Sequence, residues 1–296
     1  MMDIRIIIVN WNTRRLLSQC IDSIYETING LKFEIIVVDN ASTDDSIERI
    51  TEYYPSVHLI ANKENLGFSR AANLAISRGK SNYFLIIHPD IKFLPGAIKN
   101  MFNFLNENPK VGVVGGNLVY PDGSQNSCVI AKRSLRKEFV DFGFPIKQID
   151  EKVAQVFTAL TKRKASLYWD HKTVTESHSI WNACMMFRKD VINDIGNFSE
   201  DLFVWFADTD WCYRAVNAGW KLYYLPDSPV VHYEVQSKNC LDHKSTNYKL
   251  DSLPVADLMQ KDLFVFLTKH YKRSYIFVSR AVHNLAVIKA KFRKRL

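Results

Sequence analysis

Apolar residues follow two rhythms along this chain. Short unbroken runs, IRIIIVN at 4–10, FEIIVVD at 33–39 and YFLIIH at 83–88, read as strands covered on both faces. Between them, apolar positions recur every three or four residues, as at Leu16, Leu17, Cys20, Ile21, Ile24 and Tyr25, the spacing of a helix face. Ser42-Thr43-Asp44-Asp45 supplies capping residues for a helix running to about Tyr54, VHLIA gives a third strand, and a helix is expected from about Phe68 to Arg78. Pro95 opens another helix at a first-turn position, and VGVVGG follows as a strand. This alternation predicts an α/β fold with a mostly parallel sheet, right-handed crossovers and flanking helices.

The pattern breaks at 126–176, which is rich in Lys and Arg and reads as a variable helical or loop insertion. Apolar order returns at SIWNACMMF and continues through GNFSEDLFVWFADTDWCYRAVNAGW, KLYYLP and PVVHY. From about Val255 the chain reads as helical to its end, with Val278, Val282, Leu285, Ile288 and Phe292 on one stripe. The expected organisation is a main domain over 1–250 and a basic helical extension over 251–296. The main domain divides into a half of the nucleotide-binding kind (about 1–120) and a second half (121–250) that contains the insertion.

Composition changes this picture in two places. The five cysteines are scattered and none forms a CxxC pair, which argues against a zinc ribbon or a disulfide framework and favours a reducing cytosol. No apolar run approaches the ~18 residues of a membrane span, and Asp3 and Arg5 interrupt any signal-peptide pattern. The net charge of +8 is concentrated at the end: residues 269–296 hold nine Lys/Arg and no acid, which leaves 30 basic against 31 acidic residues elsewhere. A basic tail on a near-neutral body suits an anionic membrane surface; no nucleic-acid module accompanies it, so nucleic-acid binding is not expected.

Ligands of open α/β sheets bind beyond the carboxyl ends of the strands. Here those ends read Asn10-Trp11-Asn12, Asp39-Asn40 and His88-Pro89-Asp90. Neither GxGxxG nor a P-loop occurs, so a bound diphosphate calls for a divalent metal, and Asp90 is placed to hold one. FADTDW at 206–211 is a second acidic knot. Carboxylates there complement a helix N-terminus, but two of them beside Trp205, Phe206 and Trp211 exceed what capping needs.

Several motifs occur in the order found in family 2 glycosyltransferases: VNWN, IIVVDNASTDDS, NLGFSRAAN, HPD, FSEDLFVWFADTDWCYR…AGW and VVHYEVQS. Over residues 4–237, apart from the gap at 126–176, the chain resembles that family, and within it the bacterial rhamnosyltransferase-like branch. The resemblance implies a GT-A fold and inverting, metal-dependent transfer of a sugar, L-rhamnose from dTDP-rhamnose foremost, in cell-surface polysaccharide synthesis. A UDP-hexose or UDP-furanose donor on the same fold, or a catalytically silent nucleotide-sugar-binding subunit, are the alternatives. The expected acceptor is a saccharide or polyprenyl-linked saccharide, with the enzyme peripheral at the cytoplasmic face of the membrane.

By resemblance, Asp39 reads the base by accepting its imide N–H, and Asn10, Asn12, Asn65, Gly67 and Asn73 border the donor. Asp90 is the ligand for Mg²⁺ or Mn²⁺, His232 completes the metal shell, and Asp208 is the general base. Trp181, Trp205 and Asp210 are acceptor-side candidates. The chain departs from the pattern in three places. His88 stands where the family has Asn or Asp, and could contact ribose, ligate the metal or alter donor choice. Ala207-Asp208 replaces an acidic pair, and Glu234-Val235 replaces glycines.

Overall fold

The computed structural model describes residues 2–79, 81–126, 129–131, 171–234 and 255–271. The charged insertion around Lys132–Lys164, Cys128, Cys240, Ser237 and the apolar stripe of the tail lie outside them. The chain forms two compact units, Met1–Ala131 with His171–Asp262, and Lys132–Asp170 with Leu263–Leu296. All of the sheet belongs to the first.

The first half follows the predicted alternation. Strand β1 (Met2–Asn10) leads through helix α1 (Arg14–Thr27) to β2 (Phe33–Asp39), then α2 (Ser46–Tyr53), β3 (His58–Ala61), α3 (Gly67–Ser77) and β4 (Ser81–Ile87). β1 pairs in parallel with both β2 and β4. Being central, it is buried on both faces: Ile4, Ile6, Ile7 and Ile8 are fully covered, which is why the run is continuous rather than alternating. Arg5 is the exception within the run. Its guanidinium binds Glu34 at 2.6 Å and reaches the Ala75 and Ile76 carbonyls near the end of α3, so its charge is paired though buried.

A short β5 (Ile91–Phe93) precedes α4 (Ala97–Glu107) and β6 (Val111–Val119). Pro95 lies in a turn rather than in the helix, because Gly96 adopts φ 84° and α4 begins one residue later.

The second half departs from a parallel plan. β7 (Val129–Ala131), β8 (Thr175–Ile180) and β9 (Cys184–Arg188) are followed by α5 (Lys189–Ile195), α6 (Ala207–Asn217), β10 (Lys221–His232) and α7 (Val255–His270). The strand order is β3-β2-β1-β4-β9-β6-β10-β8-β7, with β5 on β10. β9 is antiparallel to β4 and β6, and β8 and β5 are antiparallel to β10. The sheet is therefore parallel on its first side and mixed on its second. A run such as CMMF carries burial but not strand direction, so sequence pattern missed the reversal.

Candidate active site

Registers place the strand ends together. Asn10 is opposite Asp39, and Ile8 is opposite Ile87, so His88 follows at the same edge, two strand spacings (~10 Å) from Asp39. Asn10 donates to Asp39 Oδ2 at 2.7 Å, Ser42 Oγ donates to the same oxygen at 2.7 Å, and the Ser42 N–H donates to Oδ1 at 2.7 Å. Asp39 thus shapes the turn after β2. It uses three of about four acceptor positions, which leaves one on Oδ1. Asn12, at φ 53°, accepts the Thr43 N–H at 2.7 Å and ties the ends of β1 and β2 to one loop.

Asn65 Oδ1 accepts the Gly67 N–H at 2.9 Å. Gly67 has φ +77° and lies under Phe203, whose carbonyl would be 2.5 Å from an added Cβ and accepts the Phe68 N–H at 2.6 Å. Asn73 spends its amide on protein: it donates to Phe198 O and Glu200 Oε1, both at 3.0 Å, and accepts from Phe198 N at 3.1 Å. The NLGFSRAAN segment therefore grips the chain from 198 to 203, which leads to the second acidic knot.

At the end of β4 three side chains converge. β10 brings His232 opposite Ile91, and the Tyr233 N–H donates to the Asp90 carbonyl. Asp90 Oδ1 lies 3.5 Å from His232 Nε2 and 3.9 Å from His88 Nδ1, and one ligand atom from each of the three residues falls within 4.8 Å of the others. Octahedral ligands with bonds of 2.0–2.1 Å stand about 2.9 Å apart as neighbours and about 4.2 Å apart across the ion, so the group fits a divalent metal with small adjustment. Asp90 is 2% exposed, and its Oδ1 has no hydrogen-bond partner. A buried anionic oxygen in that state is costly unless a cation meets it. Burial pushes the Asp90 carboxyl up, but His232 and His88 outweigh that and hold it below the ordinary range. Burial lowers the His88 pKa against the pull of Asp90, which favours the neutral imidazole with a nitrogen lone pair available.

The neighbours of the two imidazoles differ in kind. His88 Nε2 contacts Asn182 Oδ1 at 2.9 Å; an amide oxygen only accepts, so the ring proton sits on Nε2. His232 Nδ1 contacts Asn126 Nδ2 at 3.3 Å, and the same Nδ2 donates to Glu234 Oε1 at 3.1 Å. Glu234 fixes the orientation of that amide, which places the His232 proton on Nε2, toward Asp90.

Asp208 is in the first turn of α6, after Phe206 at φ 62°. Its Oδ2 accepts the Asn182 N–H at 3.2 Å, and its Oδ1 accepts the Thr209 N–H at 2.7 Å. Burial raises its pKa, and these donors only partly offset the rise. A carboxylate tuned upward and half-open to solvent is suited to take a proton. Asp210 differs: it is fully buried, accepts from Ser199 at 2.7 Å and pairs with Arg214 at 3.0 Å. Trp205 is half-buried and donates its N–H to Asp262 at 3.0 Å; Trp181, also half-buried, adjoins Asn182 and accepts the Cys184 N–H.

Three contributors escaped the sequence reading. Asn182 is the one polar residue inside the apolar string IWNACMMF, and that interruption was its signal. Asp262 falls four residues after buried Leu258, where a helix would place another apolar side chain. It accepts the N–H groups of Phe203, Val204 and Trp205 at 2.9–3.1 Å. Asn126 gave no signal.

The chain is similar to known proteins in sequence and in fold. A sequence model described as glycosyl transferase family 2 matches residues 5–196. The chain is 24% identical over 238 residues to an N-acetylglucosaminyl-diphospho-decaprenol L-rhamnosyltransferase of Mycobacterium tuberculosis, spanning 75% of this chain and 74% of that protein. It is 26% identical over 205 residues to the dTDP-rhamnosyl transferase RfbF of Shigella flexneri, 67% of this chain and 59% of that one. In fold it resembles the crystal structure of GalNAc-T7 with UDP, GalNAc and Mn²⁺, with a TM-score of 0.56 at 13% identity, over 79% of this chain and 44% of that chain. The chain belongs to glycosyltransferase family 2 and is a nucleotide-sugar-dependent glycosyltransferase on a GT-A fold.

Proposed function

We propose that the enzyme transfers L-rhamnose from dTDP-L-rhamnose, with inversion, to a polyprenyl-linked saccharide during cell-surface polysaccharide synthesis. The observation that carries the chemistry is the unpartnered buried oxygen of Asp90 between two imidazoles, at the sheet edge that also presents Asp208. The choice of donor and acceptor is supported by the named activities of the relatives.

Asp39 accepts the imide N–H of the thymine, and the loop it shapes with Asn10, Asn12 and Ser42 borders the nucleoside. Asp90 and His232 would hold a divalent cation, which when bound offsets the charge growing on the nucleoside diphosphate leaving group. Asp208 accepts the proton of the acceptor hydroxyl as its oxygen attacks the anomeric carbon from the face opposite the diphosphate. The bond to the diphosphate breaks as the new glycosidic bond forms, so a single displacement inverts the centre. Trp181 and Trp205 flank the acceptor.

A panel of dTDP- and UDP-sugars, assayed by hydrolysis and by transfer with and without Mn²⁺, tests the reading. Turnover should be confined to dTDP-rhamnose and should require metal. Asp90→Ala should abolish transfer together with metal-dependent donor binding. Asp208→Asn should lower transfer by roughly 10²–10⁴-fold while still binding donor. Turnover of UDP-sugars alone would overturn the donor, and a fully active Asp208→Asn enzyme would overturn the base.

A further inference from the structure

His88, one of the places where this chain departs from its family's pattern, is the better prepared of the two imidazoles beside Asp90 to bind a metal. His88 Nε2 donates its N–H to Asn182 Oδ1 at 2.9 Å, which leaves Nδ1 without a proton, 3.9 Å from Asp90 Oδ1, an oxygen that has no hydrogen-bond partner. His232 stands the other way round. Its Nδ1 receives an N–H from Asn126, itself oriented by Glu234, so its Nε2 carries the proton toward Asp90. To ligate through Nε2, His232 must change tautomer and Asn126 must turn away from Glu234. His88 needs neither change.

We infer that His88 is a metal ligand through Nδ1, and that Asn182 is the positioning residue that presets it. The inference rests on the metal-dependent reading above and adds a ligand to it. Outer partners of metal-bound histidines fix tautomer and ring direction, and removing them typically lowers metal affinity 10–100-fold. Asn182 does this with its side chain while its backbone N–H holds Asp208 Oδ2 at 3.2 Å. One buried residue therefore sets both the nitrogen that meets the metal and the carboxylate that takes the acceptor proton. It sits in the tight turn between β8 and β9, whose register against β4 continues through the His88 N–H to the Ala183 carbonyl at 3.2 Å. A second imidazole beside one carboxylate also tilts the site from Mg²⁺, which favours oxygen ligands, toward Mn²⁺.

The test is Mn²⁺ titration of the full chain, alone and then with dTDP, followed by the electron paramagnetic resonance of free Mn²⁺. Electron spin-echo measurement of nitrogen coupling is made on the bound ion. Wild type should bind saturably and show imidazole coupling. His88→Asn, which restores a residue type of the family, should weaken Mn²⁺ binding about 10-fold or more, reduce the nitrogen coupling and narrow the preference over Mg²⁺. Asn182→Ala should weaken Mn²⁺ similarly and leave the pH dependence set by Asp208 in place, since the backbone N–H survives. Asn182→Asp, which keeps an oxygen facing Nε2, should restore binding. If Asn182→Ala does not fold, the spin-echo comparison of His88→Asn with wild type decides alone. Unchanged nitrogen coupling and Mn²⁺ affinity in His88→Asn would overturn the inference while leaving the metal-dependent reading intact. Absence of Mn²⁺ binding by wild type, even with dTDP, would overturn both.

Discussion

Asp208 shows how a single side chain is tuned by its neighbours. Burial is the largest influence on it and raises its pKa, while the N–H groups of Asn182 and Thr209 and the Thr209 hydroxyl pull it down. A base works ionised, so activity should fall as pH drops through a midpoint above the ordinary Asp value of about 3.9. Thr209→Val removes one donor at 3.3 Å and keeps the shape. The acidic limb of kcat/KM should then move to higher pH; a limb that stays in place would show that Asp208 does not govern it. The sign for stability follows the same logic. A carboxyl whose folded pKa is raised contributes most below its unfolded pKa, and that contribution is lost as pH rises through the folded pKa. Asp208→Asn should therefore keep or raise the melting temperature at pH 7 while losing activity.

At this scale the sequence was informative wherever a residue type was out of place. Asp90 after an apolar strand and Asp208 among aromatics both drew attention. Asn182 also interrupts an apolar string, but nothing local assigns it a role, and Asn126 does not stand out at all; their roles come from partners 94 and 106 residues away. No local pattern records such a contact. Asp39 and Asn73 show the converse: each has a recognisable motif, but the structure also gives each a full architectural task.

Among elements, the decisive junction is the turn from Phe203 to Phe206 that aims α6. It is held from two sides. Gly67 and Phe68, at the start of α3, meet the Phe203 carbonyl, and Asp262 on α7 accepts three successive N–H groups from 203–205. Gly67→Ala combines a left-handed backbone with a 2.5 Å approach to a carbonyl oxygen. Strain and overpacking together should destabilise the fold by roughly 2–4 kcal/mol, measurable by urea unfolding. Asp262→Ala leaves three N–H groups without their acceptor, at about 1–3 kcal/mol for a buried group left unsatisfied. It should lower kcat more than the KM for donor, because Asp39 and its loop are untouched. An equal loss in both would show that the clamp serves general stability alone. The first of these two grips has its glycine in the NLGF motif, but nothing local names Phe203 as the partner. The second lies beyond the residues matched by the family and comes from a helix whose partner no pattern specifies.

For the whole molecule, charge and topology set separate expectations. Among the described residues no helix is long and apolar enough to cross a membrane, and the sequence concentrates its positive charge in 269–296. Deleting the chain from residue 270 should reduce co-sedimentation with vesicles containing anionic lipid, and the residual binding should no longer depend on salt. Equal sedimentation with and without the tail would remove it from membrane binding. The parallel side of the sheet was legible because β1, β2 and β4 are buried on both faces and spaced by helices. The mixed side was not, since its order depends on which distant strand fills a gap.

That gap has a consequence in time. β4 and β6 do not touch along their length; β9 lies between them, with Ile87 against Cys184 and Val113 against Phe187. During synthesis the ribosome completes β6 well before it makes β9. At 5–20 residues per second, the stretch from 120 to 183 takes roughly 3–13 s. Throughout that interval the nascent chain carries two apolar strands with unpaired edges, the form of surface that invites wrong pairing. The late strand that follows Asn182 therefore fills the gap between β4 and β6, while β10, made later still, covers the other edge of β6 and brings His232 beside Asp90, so the sheet and the site are completed in two successive steps.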